Sequence, residues 1–141
     1  MINTILVEDD LYIQKHFSER LKSNDAFRLV GVYRDAFEAE KNCNGSIQLI
    51  LMDVQTQHKH SGLAAAERIK KVFPDIKIVA VTSLVDPEVL SKAKNGATDS
   101  LWYKDHGTQE LLTVIERTLD GEKVFPSSSP SVEMEKAMSK D

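Results

Sequence analysis

The chain has 141 residues, 41% of them apolar and 28% charged, and a net charge of −4. This is enough for one domain with a core, and the acidic balance argues against a nucleic-acid groove formed by these residues alone. No apolar run approaches the ~20 residues that span a bilayer, the start MINTILVEDD lacks a secretory-signal pattern, and a single cysteine, Cys43, leaves no internal disulfide, as in a reducing cytosol.

Apolar runs alternate with amphipathic segments of helical length. Thr4 to Val7 is a short apolar run ending in acids. Asp10 to Ser23 follows as a helix, with Ile13, Phe17 and Leu21 four residues apart on one face and Asp10 placed to cap it. Leu29 to Tyr33 is the second strand, and Ala36 to Cys43 a short helix closed by the turn Asn44-Gly45. Ile47 to Met52 is almost wholly apolar, the pattern of a strand covered on both faces. Gly62 to Phe73 reads as a helix ended by Pro74, and Ile76 to Val81 as the fourth strand. Pro87 to Asn95 forms the next helix, with Pro87 in its first turn and Gly96 at its C-terminal cap. Ser100 to Tyr103 is a short fifth strand, and Gln109 to Leu119 the last helix. From Gly121 the composition changes to a Pro- and Ser-rich stretch, so 1–121 reads as one domain and 122–141 as a linker or the start of an interdomain segment.

Five strands alternating with five helices predict an α/β fold, a parallel sheet with helices on both faces. The flavodoxin-like strand order 2-1-3-4-5 suits this count and puts a ligand site beyond the carboxyl ends of strands 1 and 3. The residues at those ends carry chemistry. Strand 1 runs into Glu8-Asp9-Asp10, strand 3 into Asp53, strand 4 into Thr82-Ser83 and strand 5 into Lys104. Crowded carboxylates raise one another's pKa, and a divalent cation resolves that conflict. Hard oxygen ligands suit Mg²⁺, which takes one or two carboxylates and keeps several waters. Asp53 is then a candidate nucleophile toward phosphorus, Lys104 a point charge for a phosphoryl oxygen and Thr82 a hydroxyl donor to another.

From Ile2 to Gly121 this pattern resembles the receiver domains of bacterial two-component response regulators. ILVEDD is similar to the family's first-strand acidic motif, LILMDV to its third strand, IVAVTS to its fourth and SLWYKD to its fifth. The resemblance implies Glu8 and Asp9 as metal ligands, Asp53 as phosphoacceptor and ligand, the Gln55 backbone carbonyl as the remaining protein ligand, Thr82 as switch hydroxyl and Lys104 as phosphoryl contact. It implies a signalling switch that catalyses only its own phosphorylation and dephosphorylation, in the cytoplasm and away from membranes. A sensor histidine kinase would be the donor, with homodimerisation on phosphorylation. DNA would be engaged only through an output domain outside these residues, in transcription regulation. Lys104-Asp105 is frequent in receivers attached to a helix-turn-helix domain.

The sequence also departs from the family pattern. The stretch 54–61 lacks the usual Met-Pro, and Gly62 stands about one position late, which predicts a longer polar loop beside the site. Leu101 occupies the position, three before the lysine, that often holds an aromatic switch residue, and strand alternation puts Leu101 and Tyr103 on one face and Trp102 on the other. Gln55 and Leu84 are placed to tune the lifetime of a phosphoryl group. His58 and His60 have no third ligand in view and read as a solvated loop, Trp102 reads as packing, and Cys43 as inert. A flavin or nucleotide module on this fold would need a phosphate cradle after strand 1, where Glu8-Asp9-Asp10 would repel phosphate. An aspartate-nucleophile phosphatase would need Asp-x-Asp, and Asp9 and Asp10 are adjacent.

Overall fold

A computed structural model describes residues 1–83, 86–104 and 110–126. The strands are β1 (Ile2–Val7), β2 (Phe27–Tyr33), β3 (Leu49–Asp53), β4 (Lys77–Thr82) and β5 (Ser100–Tyr103). The helices are α1 (Leu11–Lys22), α2 (Ala36–Lys41), α3 (Gly62–Val72), α4 (Pro87–Lys92) and α5 (Leu111–Leu119). All four strand pairings are parallel and the order is β2-β1-β3-β4-β5, as expected from the alternation of elements.

Successive side chains of a strand point to opposite faces, so the central strands feed two layers. Ile5, Val7, Ile50, Met52 and Ile78 pack with Ala36 and Ala39 of α2 and Ala65, Ala66 and Ile69 of α3. Leu6, Leu49, Leu51, Val79 and Val81 pack on the other side with Phe17 and Leu21 of α1 and Leu111, Val114 and Ile115 of α5. A third cluster joins Ala80, Leu101 and Tyr103 to Leu90 and Ala93 at α4. Trp102 lies in the α1–α5 layer, edge-on to Phe17, opposite Leu101 and Tyr103 as strand alternation requires.

Element ends differ from the sequence reading for local reasons. β3 begins at Leu49 rather than Ile47, because the Ile47 amide closes a turn onto Asn44. α2 ends at Lys41, and α4 passes into a wider π turn, Ala93–Ala97, closed by the Thr98 amide on the Ala93 carbonyl and holding Gly96 at a φ of 113° that suits glycine. The starts of α1 to α4 are capped by acids or a hydroxyl: Asp10 accepts from the amides of Tyr12 and Ile13, Asp35 from Phe37, Ser61 from Ala64 and Asp86 from Glu88. Beyond α5 the chain returns to the sheet. The Leu101 amide donates to the Val124 carbonyl, the Val124 amide to Ser100 Oγ, and Val124 and Phe125 pack against the core. The predicted start of α5 at Gln109 lies outside the described residues. Among the described residues no helix is long and apolar enough to cross a membrane.

Candidate functional site

The sheet register brings the candidate residues to one rim. Val7 pairs with Met52, Asp53 with Val81 and Thr82 with Tyr103, so the residues at the ends of β1, β3, β4 and β5 come out at the same level. Lys104 is drawn in by its own amide, which donates to the Thr82 carbonyl at 2.9 Å.

Three of the predicted side chains meet. Lys104 Nζ lies 2.5 Å from Glu8 Oε1 and 3.4 Å from Asp53 Oδ2. The group is withdrawn from solvent: side-chain exposure is 10% for Lys104, 2% for Glu8 and 11% for Asp53. One ammonium thus faces two buried carboxylates. Burial, reinforced by hydrogen bonding to and repulsion from Glu8, pushes the Asp53 carboxyl up to about 8, against the pull of Lys104. Burial works against the charge on Lys104, but Glu8 and Asp53 outweigh it and raise the lysine above its usual range.

Asp9 does not join this contact. Its carboxylate Oδ1 accepts from Arg34 Nη2 at 3.1 Å, and Arg34 Nε donates to the Asp9 carbonyl at 3.1 Å. The expected crowding of three carboxylates is therefore a crowding of two, with Asp9 balanced separately and 43% exposed. Asp10 serves as the α1 cap alone. Thr82 is 1% exposed at the end of β4.

The loop after Asp53 is a small hairpin. Gly62 N donates to Val54 O and Thr56 N to His60 O, which places Gln55 opposite Ser61 as a pair without direct hydrogen bonds. In such a pair each residue's own amide and carbonyl point away from the partner strand, so the Gln55 carbonyl is left outside the hairpin. Residues Gln57–Lys59 form a single tight turn in which His58 and Lys59 both have φ near +60°. Glycine is required where the hairpin ends: a Cβ at Gly62 would sit 1.8 Å from the Asp53 carbonyl oxygen.

Sequence reasoning missed the residues that hold this hairpin. Thr56 Oγ1 accepts from the Ala36 amide and donates to His60 O, and the Gln57 amide donates to Arg34 O. His60 is not merely solvated: its Nδ1 lies 2.7 Å from Asp35 Oδ1, and its ring stacks on Phe37 at 3.9 Å. Arg34, Thr56 and His60 carry no periodic or spacing signal, since the partners that fasten them from outside the hairpin are about 20 or more residues away. Cys43 fits the inert reading, because burial pushes its thiol up. Leu84 and the Lys104–Asp105 junction fall on or beside residues outside those described.

Among the described residues, no three histidine, cysteine or carboxylate side chains form a group that could hold a metal on their own. The donors nonetheless fit Mg²⁺. They are hard oxygens, they include two buried carboxylates against one ammonium, and an outward carbonyl stands two residues past Asp53. An open groove of ≈ 680 Å³ adjoins them, lined in part by Asp9, Gln55, His60 and Lys92.

Comparison with known proteins agrees with this geometry. A family model described as the response regulator receiver domain matches residues 4–116. The response regulator protein VraR of Staphylococcus saprophyticus is 28% identical over 125 residues, 88% of this chain and 59% of that protein. VraR of Staphylococcus aureus is 26% identical over the same shares. The chain thus spans about three-fifths of the length of these curated relatives. Among solved structures, the isolated receiver domain of RcsB from Salmonella enterica serovar Typhimurium, with a phosphomimetic beryllofluoride, has a TM-score of 0.77 at 19% identity. It matches over 89% of this chain and 94% of that one. A LuxR-family two-component response regulator from an Aurantimonas species has a TM-score of 0.79 at 20% identity, over 98% and 96% of the two chains.

Proposed function

This chain belongs to the response regulator receiver family, and from that premise we propose that it is a phosphoryl-accepting switch with Asp53 as the acceptor and Mg²⁺ as cofactor. The observation that carries the reading is the shared ammonium: Glu8 and Asp53, 45 positions apart in sequence, both contact Lys104 at the rim where β1 and β3 end. Glu8, Asp9, Asp53 and the Gln55 carbonyl would hold Mg²⁺, which when bound supplies positive charge against the carboxylates and the oxygens of an incoming phosphoryl group.

The protein's own residues do the rest. An Asp53 carboxylate oxygen forms a bond to phosphorus while the phosphorus–nitrogen bond of a phosphohistidine donor breaks, and the electron pair leaves with the imidazole. Lys104 favours the ionised form of Asp53 against burial and Glu8, then balances a phosphoryl oxygen as a point charge. Thr82 offers its hydroxyl to another oxygen. Because the Lys104 amide is bonded to the Thr82 carbonyl, a shift of Thr82 carries into β5.

In this reading the chain acts in the cytoplasm and its natural donor is a sensor histidine kinase. The receiver unit of residues 1–121 leads into 122–141, whose first residues are seated on β5, and then to an output domain beyond them. A DNA-binding output and phosphorylation-dependent dimerisation are supported by likeness. One structural neighbour is a DNA-binding LuxR-family response regulator from Staphylococcus aureus, and another is RcsB, solved as two dimers bound to two parallel DNAs.

Incubation of the chain with acetyl phosphate and Mg²⁺, followed by intact mass measurement, tests the reading. The expected result is the gain of one phosphoryl group, abolished by a chelator and absent in Asp53→Ala. No gain in the unaltered chain overturns it.

A further inference from the structure

The hairpin after Asp53 sits in a conformation its own sequence does not favour. His58 and Lys59 are consecutive, neither is glycine, and both occupy the left-handed region with φ of 62° and 60°. Such backbone persists only where the surroundings over-determine it. The surroundings here are α2. Asp35, the residue that caps α2, accepts from both the Phe37 amide and the His60 ring. Phe37 packs against the α2–α3 core and carries the His60 ring at 3.9 Å with an interplanar angle of 13°. The Arg68 guanidinium lies 4.6 Å from the centre of the Phe37 ring and is itself held by Glu40 through both carboxylate oxygens. His60 is thus gripped by a hydrogen bond and a stack, both rooted in one helix.

That grip reaches Gln55 by a short path. The His60 carbonyl receives two donors from one residue, the amide and the hydroxyl of Thr56, at 3.1 and 2.7 Å. The same hydroxyl accepts from the Ala36 amide at the start of α2. Thr56 is bonded to Gln55, and the two hydrogen bonds flanking the Gln55–Ser61 pair set the direction of the Gln55 carbonyl.

We propose that His60 is a positioning residue that clamps the 55–61 hairpin to α2 and so aims the Gln55 carbonyl at the divalent cation. The inference rests on the Mg²⁺ reading above and adds to it a residue outside the ligand set. The His60 side chain meets Asp35 and Phe37, and it acts on the cation only through Thr56 and Gln55. Groups that orient metal ligands typically change affinity by about 10-fold or more when removed.

Calorimetric titration of Mg²⁺ into the full chain, paired with the Mg²⁺ dependence of phosphorylation by acetyl phosphate, tests the clamp. His60→Ala is expected to weaken Mg²⁺ binding by about 10-fold and to raise the half-saturating Mg²⁺ concentration equally, while the rate at saturating Mg²⁺ is unchanged. His60→Gln, which keeps a donor for Asp35, is expected to recover part of the affinity. Asp35→Asn removes the carboxylate partner from α2 and is expected to weaken binding in the same direction, so it carries the test should His60→Ala not fold. If the unaltered chain binds no Mg²⁺, the metal reading itself fails. If it binds and folded His60 and Asp35 variants bind equally tightly, the clamp is overturned while the metal reading stands. A variant that loses rate at saturating Mg²⁺ with its affinity intact also overturns it.

Discussion

Two lysines with little access to water sit at opposite ends of the sheet, and they are solvated by the protein in opposite ways. Lys70, on α3, donates to the carbonyls of Pro74 and Ile76 and to both oxygens of Asp99, and Asp99 accepts also from the Ile78 amide. One positive charge meets one negative charge, and backbone groups take up the remaining hydrogen-bonding capacity. Lys104, at the rim, meets two carboxylates that have little access to water. The first arrangement is closed and neutral, and it fastens α3 to the entry of β4 and β5. The second carries surplus negative charge once Asp53 ionises, the condition under which a cation or a phosphoryl group held by one has something to add. A buried ion pair by itself indicates little about function; an unbalanced one at a topological switch point indicates more.

Breaking the closed pair should have the largest effect on stability. Lys70→Met leaves Asp99 buried without its counter-ion and is expected to cost about 3–5 kcal/mol, read from urea unfolding. A cost below about 1 kcal/mol, the range of exposed pairs, would remove the contrast. Gly62→Ala forces a methyl group against the Asp53 carbonyl. A loss of about 1–3 kcal/mol, together with slower phosphorylation, would show that the rim depends on backbone contact as well as charge.

Asp53→Asn should move in the other direction. It relieves the repulsion between the two carboxylates and is expected to stabilise the metal-free chain at pH 8. The sign follows from the raised Asp53 carboxyl. Between the ordinary carboxylate pKa of ~4 and about 8, the folded chain holds a proton that the unfolded chain has released. Stability without metal therefore falls as pH rises through that window. The gain in Asp53→Asn should be larger at pH 8 than at pH 5, and equal gains would contradict the assignment. The smallest effect belongs to an exposed pair used as a reference. Arg117 and Glu122 meet at 3.2 Å with half-exposed side chains, and Glu122→Gln should change stability by under about 0.5 kcal/mol.

Much of the rim was legible from the linear pattern because a parallel sheet turns strand order into geometry. Apolar runs ending in Glu8, Asp53 and Thr82 and before Lys104 announce which residues share an edge, and Asp10 announces its cap through the helix that follows. The Asp9–Arg34 pairing was not legible. Arg34 stands at the end of β2, and only the β1–β2 register brings it beside Asp9. His60 was misread for a similar reason, since its partners Asp35 and Phe37 lie on a helix start about 25 positions earlier.

What the amino-acid order determined by itself is the alternation of elements, the buried faces of the strands and the residue types at their ends, because these follow from local periodicity and chain direction. What only the tertiary structure decided is how the charges are shared. Glu8 and Asp53 hold Lys104 while Arg34 takes Asp9, and a stacked histidine sets the hairpin beside them. Charge pairing depends on distances across the sheet of a few ångströms, and no periodicity along the chain encodes those.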